Sequence, residues 1–436
     1  MQGIARPLLA WYARHARDLP WRRTRDPYAI WLSEIMLQQT QADRVGRYYR
    51  RFLRRFPTVR VLAAAPEEKV LKAWEGLGYY RRARQLRAAA RLIVDEHDGH
   101  LPDTAPALRR LPGIGRYTAG AIASIAFDRV EPIVEANSRR VIARLAAYTG
   151  RLEKASDDEP IWRMAGQLLP KRNVGRFNQA LMDLGATICT PVDPGCESCP
   201  LRGTCESYRR GLTAEIPRRV RRRAVMRLHE RVIIYRRAGS VLVERRGPDE
   251  WWSGLWDFPR DLVTDRQGGE AAKLKAEAPT FGPTLGAFTY AVTHHHVRVT
   301  VVEATSLPDA LPANAGLNNR RGAARGGASD ASRRGFVADG SGSGATSRWV
   351  RIGDLASLAM TAPGRRVAKM VCSSAKQKFG TGGLRSGSNG GISGKSREKR
   401  ASCHVRRSRS RMDRSGTGNR LVRRARSPVR SVSTRR

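Results

Sequence analysis

Acidic residues are scarce in this chain of 436 residues: 39 Asp and Glu stand against 81 Lys and Arg, giving a formal charge of +42. A surplus this large favours a polyanion, with nucleic acid as the leading class. Long apolar runs are also missing. Charges interrupt each one well short of the ~20 residues a bilayer span needs, so no membrane association is expected. The opening segment MQGIARPLLAWYARHARDLPW has no continuous apolar core, so no secretory signal is expected. Cysteine is limited to six positions. That is too few for a disulfide framework in a chain this long, and the reducing cytoplasm is the expected compartment. The 41% hydrophobic content is nonetheless enough for packed cores, which excludes wholesale disorder.

What is present falls into distinct stretches. Residues 1–212 carry apolar residues at three- and four-residue spacings, as in PYAIWLSEIMLQQT and NSRRVIARLAAY, and show no sustained alternation. An all-α region of about ten short helices is expected there. A basic connector with six arginines follows over 213–228. Over 229–371 the pattern becomes that of a smaller α+β domain. RVIIYRRAGSVLVERR reads as a hairpin turning at Ala-Gly-Ser, YAVTHHHVRVTVVEAT as one strand, and RWVRIGDLASLAM as a strand entering a short helix. A Gly/Ala/Arg-rich insertion interrupts it at about 310–346. From Cys372 to Arg436 there are 19 Lys and Arg but two acids, and disorder is expected throughout that tail.

Four of the six cysteines lie within 17 residues: Cys189, Cys196, Cys199 and Cys205, spaced C-x6-C-x2-C-x5-C. Four thiolates this close can surround a structural zinc or a [4Fe–4S] cluster. Zinc sites usually show two C-x2-C pairs and this run has one, which favours the iron–sulfur cubane. A second motif is Leu111-Pro-Gly113-Ile-Gly115-Arg-Tyr117-Thr-Ala-Gly120. A Pro-Gly-x-Gly turn opening a helix presents backbone N–H groups to an anion, the shape of a helix–hairpin–helix clamp on a DNA backbone. Glu34 sits in WLSEIMLQQTQ among Ile30, Trp31, Ile35 and Leu37, and a carboxyl in apolar surroundings is biased toward its protonated form.

Taken together, LPWRRTRDPYAIWLSEIMLQQTQ (19–41), GLGYYRRARQL (76–86), LPGIGRYTAGAI (111–122), FNQALMDLGATICT (177–190) and the cysteine run resemble the endonuclease III superfamily. Within it, the resemblance is to the adenine DNA glycosylase branch, and it covers residues 1–212. It implies an all-α helix–hairpin–helix domain of two subdomains with a [4Fe–4S] loop at 189–205. The implied activity is that of an N-glycosyl hydrolase of base excision repair. Such an enzyme flips out adenine mispaired with 8-oxoguanine or guanine and leaves an abasic site. Its partner would be double-stranded DNA carrying that mispair, and the chain is expected to act as a monomer associated with the nucleoid.

The resemblance also implies roles for particular residues. Glu34 matches the general acid, and Tyr117 stands where the strand-cutting branches carry a Schiff-base lysine, so a monofunctional glycosylase is expected. Glu135 and Asn137 match a second catalytic pair, but the family's Asp-Gly-Asn is here Glu135-Ala136-Asn137. The carboxylate is therefore longer by one bond, ~1.5 Å. Either the backbone compensates, which Glu34, Tyr117 and Asn137 being in place favours, or the enzyme is slow or inactive. Gln39 and Tyr79 match the wedge that enters the duplex, and Trp21, Arg22 and Gln179 match the adenine pocket. Between the first two cysteines, Thr-Pro-Val-Asp-Pro-Gly replaces the usual basic residue. WWSGLWDFPRDL (251–262) resembles the Nudix-type module this branch appends, without the Mg²⁺-binding Arg-Glu-x-x-Glu-Glu helix. It is expected to recognise a lesion, with Val292-Thr293-His294 at the position of the family's inspecting loop. The triple His294-His295-His296 is expected not to be a metal site, because consecutive strand residues point to opposite faces. Two alternatives remain: a pyrimidine-damage glycosylase/lyase of the endonuclease III type, or a catalytically weak iron–sulfur DNA-binding protein.

Overall fold

The computed structural model describes residues 3–152, 155–218, 224–247, 250–263, 281–307 and 347–380. The expected insertion at about 310–346 and the tail beyond 380 lie outside them. The helices are α1 (Ala5–His15), α2 (Pro27–Leu37), α3 (Ala42–Arg55), α4 (Val59–Ala64), α5 (Glu67–Trp74), α6 (Arg81–His97), α7 (Ala105–Leu108), α8 (Arg116–Phe127), α9 (Ala136–Leu145), α10 (Glu159–Leu168), α11 (Val174–Thr187) and α12 (Glu206–Arg209). They form two lobes, each with its own core. In the first, Trp31, Phe52, Trp74 and Leu86 bring α2–α8 together; in the second, Leu8, Ile142, Ile161 and Phe177 join α1 to α9–α11.

Helix α2 runs through the core of the first lobe. Asp26 accepts from the Tyr28 amide and Pro27 opens the first turn, two local signals that fix its start. Beyond that start, every residue from Tyr28 to Met36 is buried. A helix buried on all sides has to run through a core, so any charge it carries is withdrawn from water. Glu34 is that charge.

The strand-rich domain has two sheets. One runs β5 (Arg260–Leu262), β1 (Met226–Ile234), β7 (His295–Ala304), β6 (Phe281–Val292), with β1 and β7 parallel and the other pairs antiparallel. The other joins β2 (Arg236–Arg237), β3 (Ser240–Arg245) and β4 (Trp256–Asp257), with β8 (Ser347–Arg351) also on β3. Val232, Val243, Phe258 and Val299 fill the space between them, and helix α13 (Ala362–Gly380) adds Val367 and Val371. The Ala-Gly-Ser hairpin is present, turning at Ala238 and Gly239, both left-handed.

Two expectations need correction. YAVTHHHVRVTVVEAT is not one strand: it reverses at Thr293-His294, where Val292 pairs with His295. No Gly or Asn marks that turn, so periodicity ran through it unbroken. Disorder also does not begin at Cys372. Helix α13 continues to Gly380, and the Cys372 thiol is partly buried, 3.7 Å from the Ile352 carbonyl. The connector starts packed against the helical region. Ile216 is buried in the second helical core and its carbonyl accepts from Arg144 Nε at 2.8 Å.

Candidate active site

The lobe junction brings four predicted residues together. Glu34 comes from α2, Tyr117 from the first turn of α8, and Glu135 and Asn137 from the start of α9. Glu34 is 4% exposed, and Tyr117 donates its hydroxyl to Glu34 Oε2 at 2.8 Å while lying 3.4 Å from Met182 Sδ. Burial pushes the Glu34 carboxyl up to about 7; the Tyr117 hydrogen bond and the Arg22 charge oppose that rise, and the Glu135 carboxylate adds to it. Burial and the two carboxylates likewise push the Tyr117 phenol well above its ordinary value. The result is one carboxyl that keeps its proton near neutrality beside a second carboxylate, a pairing suited to acid catalysis of a charge-separating reaction.

Glu135 folds back onto the helix it precedes. Its Oε1 accepts from the Ser138 amide at 2.8 Å, and its own amide donates to Ser138 Oγ at 2.9 Å, a reciprocal capping box. Asn137 Nδ2 lies 3.3 Å from Oε2, and Asn137 Oδ1 in turn accepts from Arg140 Nη2 at 3.0 Å. The extra methylene is thus taken up along the N-terminus of α9, which holds the carboxylate in place. Gly185 of α11 permits this approach: a Cβ there would lie 2.7 Å from Asn137 Cβ and 2.9 Å from its carbonyl oxygen. We expect Gly185→Ala to cost about 2 kcal/mol, the scale of overpacking. Thermal unfolding checks this, and an unchanged midpoint would show that α9 and α11 separate freely.

Of the residues matched to a base pocket, Arg22 and Gln179 meet on Tyr12, while the Trp21 ring turns into the core. Trp21 is a core residue, 5% exposed and edge-on to Tyr49 with ring centres 5.6 Å apart. Arg22 reaches the junction, where it grips both oxygens of fully buried Asp183 and lies over the Tyr12 ring at 5.5 Å. Arg17 adds a 2.6 Å bond to Asp183, and Tyr12 donates to Gln179 Oε1 at 2.8 Å. Sequence reasoning missed Tyr12, Arg17 and Asp183. The available signal was that Asp183 lies four residues after Gln179, on the same face of α11.

Gln39, Tyr79 and Thr293 sit together elsewhere, in a cleft of about 980 Å³ between the helical lobe and the strand-rich domain. Trp251, Trp252 and Tyr290 form its aromatic wall, and Arg44, Arg84 and Arg366 supply charge. Gln39, Tyr79, Trp252 and Thr293 all have left-handed backbone, with φ between 49° and 61°. They are four of the ten described non-glycine residues with positive φ. For a Trp and a β-branched Thr this conformation is costly, and such strain tends to persist at working sites. Tyr79 is half exposed, free to meet a ligand.

The hairpin keeps the expected geometry. Gly113 has φ +79°, a Cβ there would lie 2.8 Å from Gln85 Cβ, and no side chain caps the first-turn amides of α8. Those amides are open to an anion. The four cysteines line one small cavity with Arg144 and Arg202, and Arg144 Nη1 donates to Cys189 Sγ at 3.3 Å. Arg140 Nε and Arg144 Nη1 also hold the carbonyls of Cys189 and Thr190 at 2.7 Å each. Burial pushes the Cys196, Cys199 and Cys205 thiols up, Cys199 to about 11, so a cation is needed for all to ionise together. Among the described residues, no three His, Cys, Asp or Glu side chains close around a single metal ion, the three histidines included.

Residues 32–160 match the family of HhH-GPD superfamily base excision DNA repair proteins, and 231–370 match the NUDIX domain. The chain is 47% identical over 217 residues to the adenine DNA glycosylase of Rattus norvegicus, covering 48% of this chain and 42% of that one. It is 33% identical over 253 residues to the adenine DNA glycosylase of Buchnera aphidicola from Schizaphis graminum, covering 58% of this chain and 73% of that one. A solved thermostable thymine-DNA glycosylase is 32% identical, with a TM-score of 0.44 over 47% of this chain and 95% of its own. The chain spans less than half the length of its mammalian relatives. One third identity across nearly three quarters of a bacterial relative, with an HhH-GPD match over residues 32–160, identifies this chain as a member of the adenine DNA glycosylase family of HhH-GPD base excision repair proteins.

Proposed function

We propose that this protein hydrolyses the N-glycosidic bond of adenine mispaired with 8-oxoguanine or guanine in duplex DNA, leaving an abasic site. The observation that carries the proposal is the buried Glu34 carboxyl, hydrogen-bonded to Tyr117 and held up toward 7 by burial and the field of Glu135. Glu34 donates its proton to a ring nitrogen of the departing base, which leaves neutral. Glu135 stabilises the positive charge developing on the sugar from a carboxylate its capping bonds already hold in place. Water then adds to the sugar carbon and gives up a proton to the Glu34 carboxylate, which restores the acid. Tyr117 has no amine, so no imine forms and the backbone is left uncut. Gln39 and Tyr79 enter the duplex as adenine leaves it, while Thr293 and the aromatic wall face the opposite base. The test is adenine release from an A:8-oxoguanine duplex, with and without alkali. Strands cut only after alkali support the proposal. Spontaneous cutting would indicate a lyase, and no release a DNA-binding protein.

The cysteine cavity fits a [4Fe–4S] cluster held by Cys189, Cys196, Cys199 and Cys205, since all four thiols line one small space. A bound cluster would supply the cation the thiolates need and tie the loop to α9. Arg140 and Arg144 would balance the negative charge of the assembly. The isolated protein should contain four irons per chain, the number in one such cluster. Cys199→Ala should lose that iron and the folded yield more than the turnover of whatever folds. One zinc and no iron by metal analysis would overturn the assignment.

A further inference from the structure

An ionic node that the proposed chemistry does not use joins the two walls of the cleft. Glu75 caps the C-terminus of α5, and the three residues after it lead directly to Tyr79. Its Oε1 accepts from Arg365 Nε at 2.6 Å and its Oε2 from Arg365 Nη2 at 3.1 Å, a two-pronged bond across the domain boundary. Lys72 Nζ, one turn back on α5, reaches Glu75 Oε2 at 2.7 Å and the carbonyls of Ala356 and Leu358 at 2.7 and 2.8 Å. Arg365 also holds the Leu355 carbonyl at 2.7 Å, and its neighbours Ala362, Pro363 and Arg366 line the cleft. The Glu75 and Arg365 side chains are each about four-fifths buried. Above the node, Leu255 and Ala359 of the strand-rich domain pack into the core of the first helical lobe, and Arg84 donates to the Ser253 carbonyl.

We propose that Glu75 is a positioning residue for discrimination: by clamping Arg365 it fixes the gap between Tyr79 on one wall and Trp252 and Thr293 on the other, and so sets how the protein reads the base opposite the adenine. The proposal rests on the functional reading above. The excision residues Glu34, Tyr117 and Glu135 belong to the helical lobes alone, so loosening the second domain leaves them assembled. A purine opposite adenine, by contrast, is read by residues of both domains. A partly buried, bidentate Arg–carboxylate pair flanked by backbone carbonyls holds its partners in one relative orientation, which a looser surface pair does not. Leu255 and Ala359 keep the domains together when the node is cut; the node sets their angle.

The experiment compares Glu75→Gln, Arg365→Gln and the double variant in single-turnover adenine release from A:8-oxoguanine and A:G duplexes. Amide exchange is followed in residues 76–80 and 252–255. Glu75→Gln should lower the ratio of the two rates about tenfold, the scale of coupling between residues in one network. The A:G rate should stay within about threefold of wild type, and the double variant should be no worse than either single variant. Exchange at both cleft walls should accelerate. An unchanged ratio, or two rates falling in parallel, would overturn the proposal. If the wild type releases no adenine, the functional reading fails by itself. Exchange then decides the node: unchanged protection in Glu75→Gln would show that it positions nothing.

Discussion

Glu34→Gln is expected to reduce adenine release by about 10³-fold, within the range attributed to a positioned general acid, while duplex binding stays within a few fold. The amide fills the same volume and can keep the Tyr117 hydrogen bond, but it has no proton to give. The same variant should be more stable than wild type at neutral and higher pH. The folded-state carboxyl titrates at about 7, against 4.5 ordinarily. Because the folded pKa is raised, ionising Glu34 opposes folding, and this cost grows as pH rises from the unfolded value to the folded one. At its plateau it is about 3 kcal/mol. The gain in melting temperature should therefore be absent in acid and full above neutrality. Activity within tenfold of wild type would remove Glu34 from the chemistry.

Removing the second carboxylate should be nearly as damaging. Glu135→Ala is expected to lose about 10²–10³ in the single-turnover rate, because a preorganised charge facing the sugar acts only as positive charge develops there. Glu135→Asp should be impaired about tenfold. Aspartate is a good cap for α9, so the fold survives, but the carboxylate retracts from a pocket shaped around the longer side chain. The alanine variant carries a second signature. Glu135 helps hold the Glu34 pKa up, so its loss should shift the alkaline limb of any residual activity to lower pH. An aspartate variant faster than wild type would instead mark Glu135 as a lesion in this chain. A wild-type rate equal to that of Glu135→Ala would leave the carboxylate without a role.

The core of the candidate site was legible because its signals are local. WLSEIMLQQTQ places a carboxyl amid apolar residues, and its burial follows from α2 being buried along almost its whole length. The turn at Gly113 and Gly115 and the cysteine spacing are equally short-range. What could not be read is what distant segments do to one another. Arg22 is held by Asp183, 161 residues away, and Glu75 by Arg365, 290 residues away. The hairpin at Thr293-His294 was hidden for a different reason: a β-branched residue takes the left-handed position that glycine or asparagine would have announced. In α13, the Ser- and Lys-rich composition after Cys372 masked a helix whose buried face is set by Val367, Ala368 and Val371.

The central claim is that a neutral Glu34 delivers the proton, and the dependence of single-turnover adenine release on pH tests it most directly. With A:8-oxoguanine duplex in the bound state, the rate should be level in mild acid. It should then fall about tenfold per pH unit above an apparent pKa near 7, where Glu34 gives up its proton. Glu34→Gln should show no such limb. A wild-type rate that stays flat or rises through pH 9 would contradict the account, because the acid would then be ionised and the reaction indifferent to its loss.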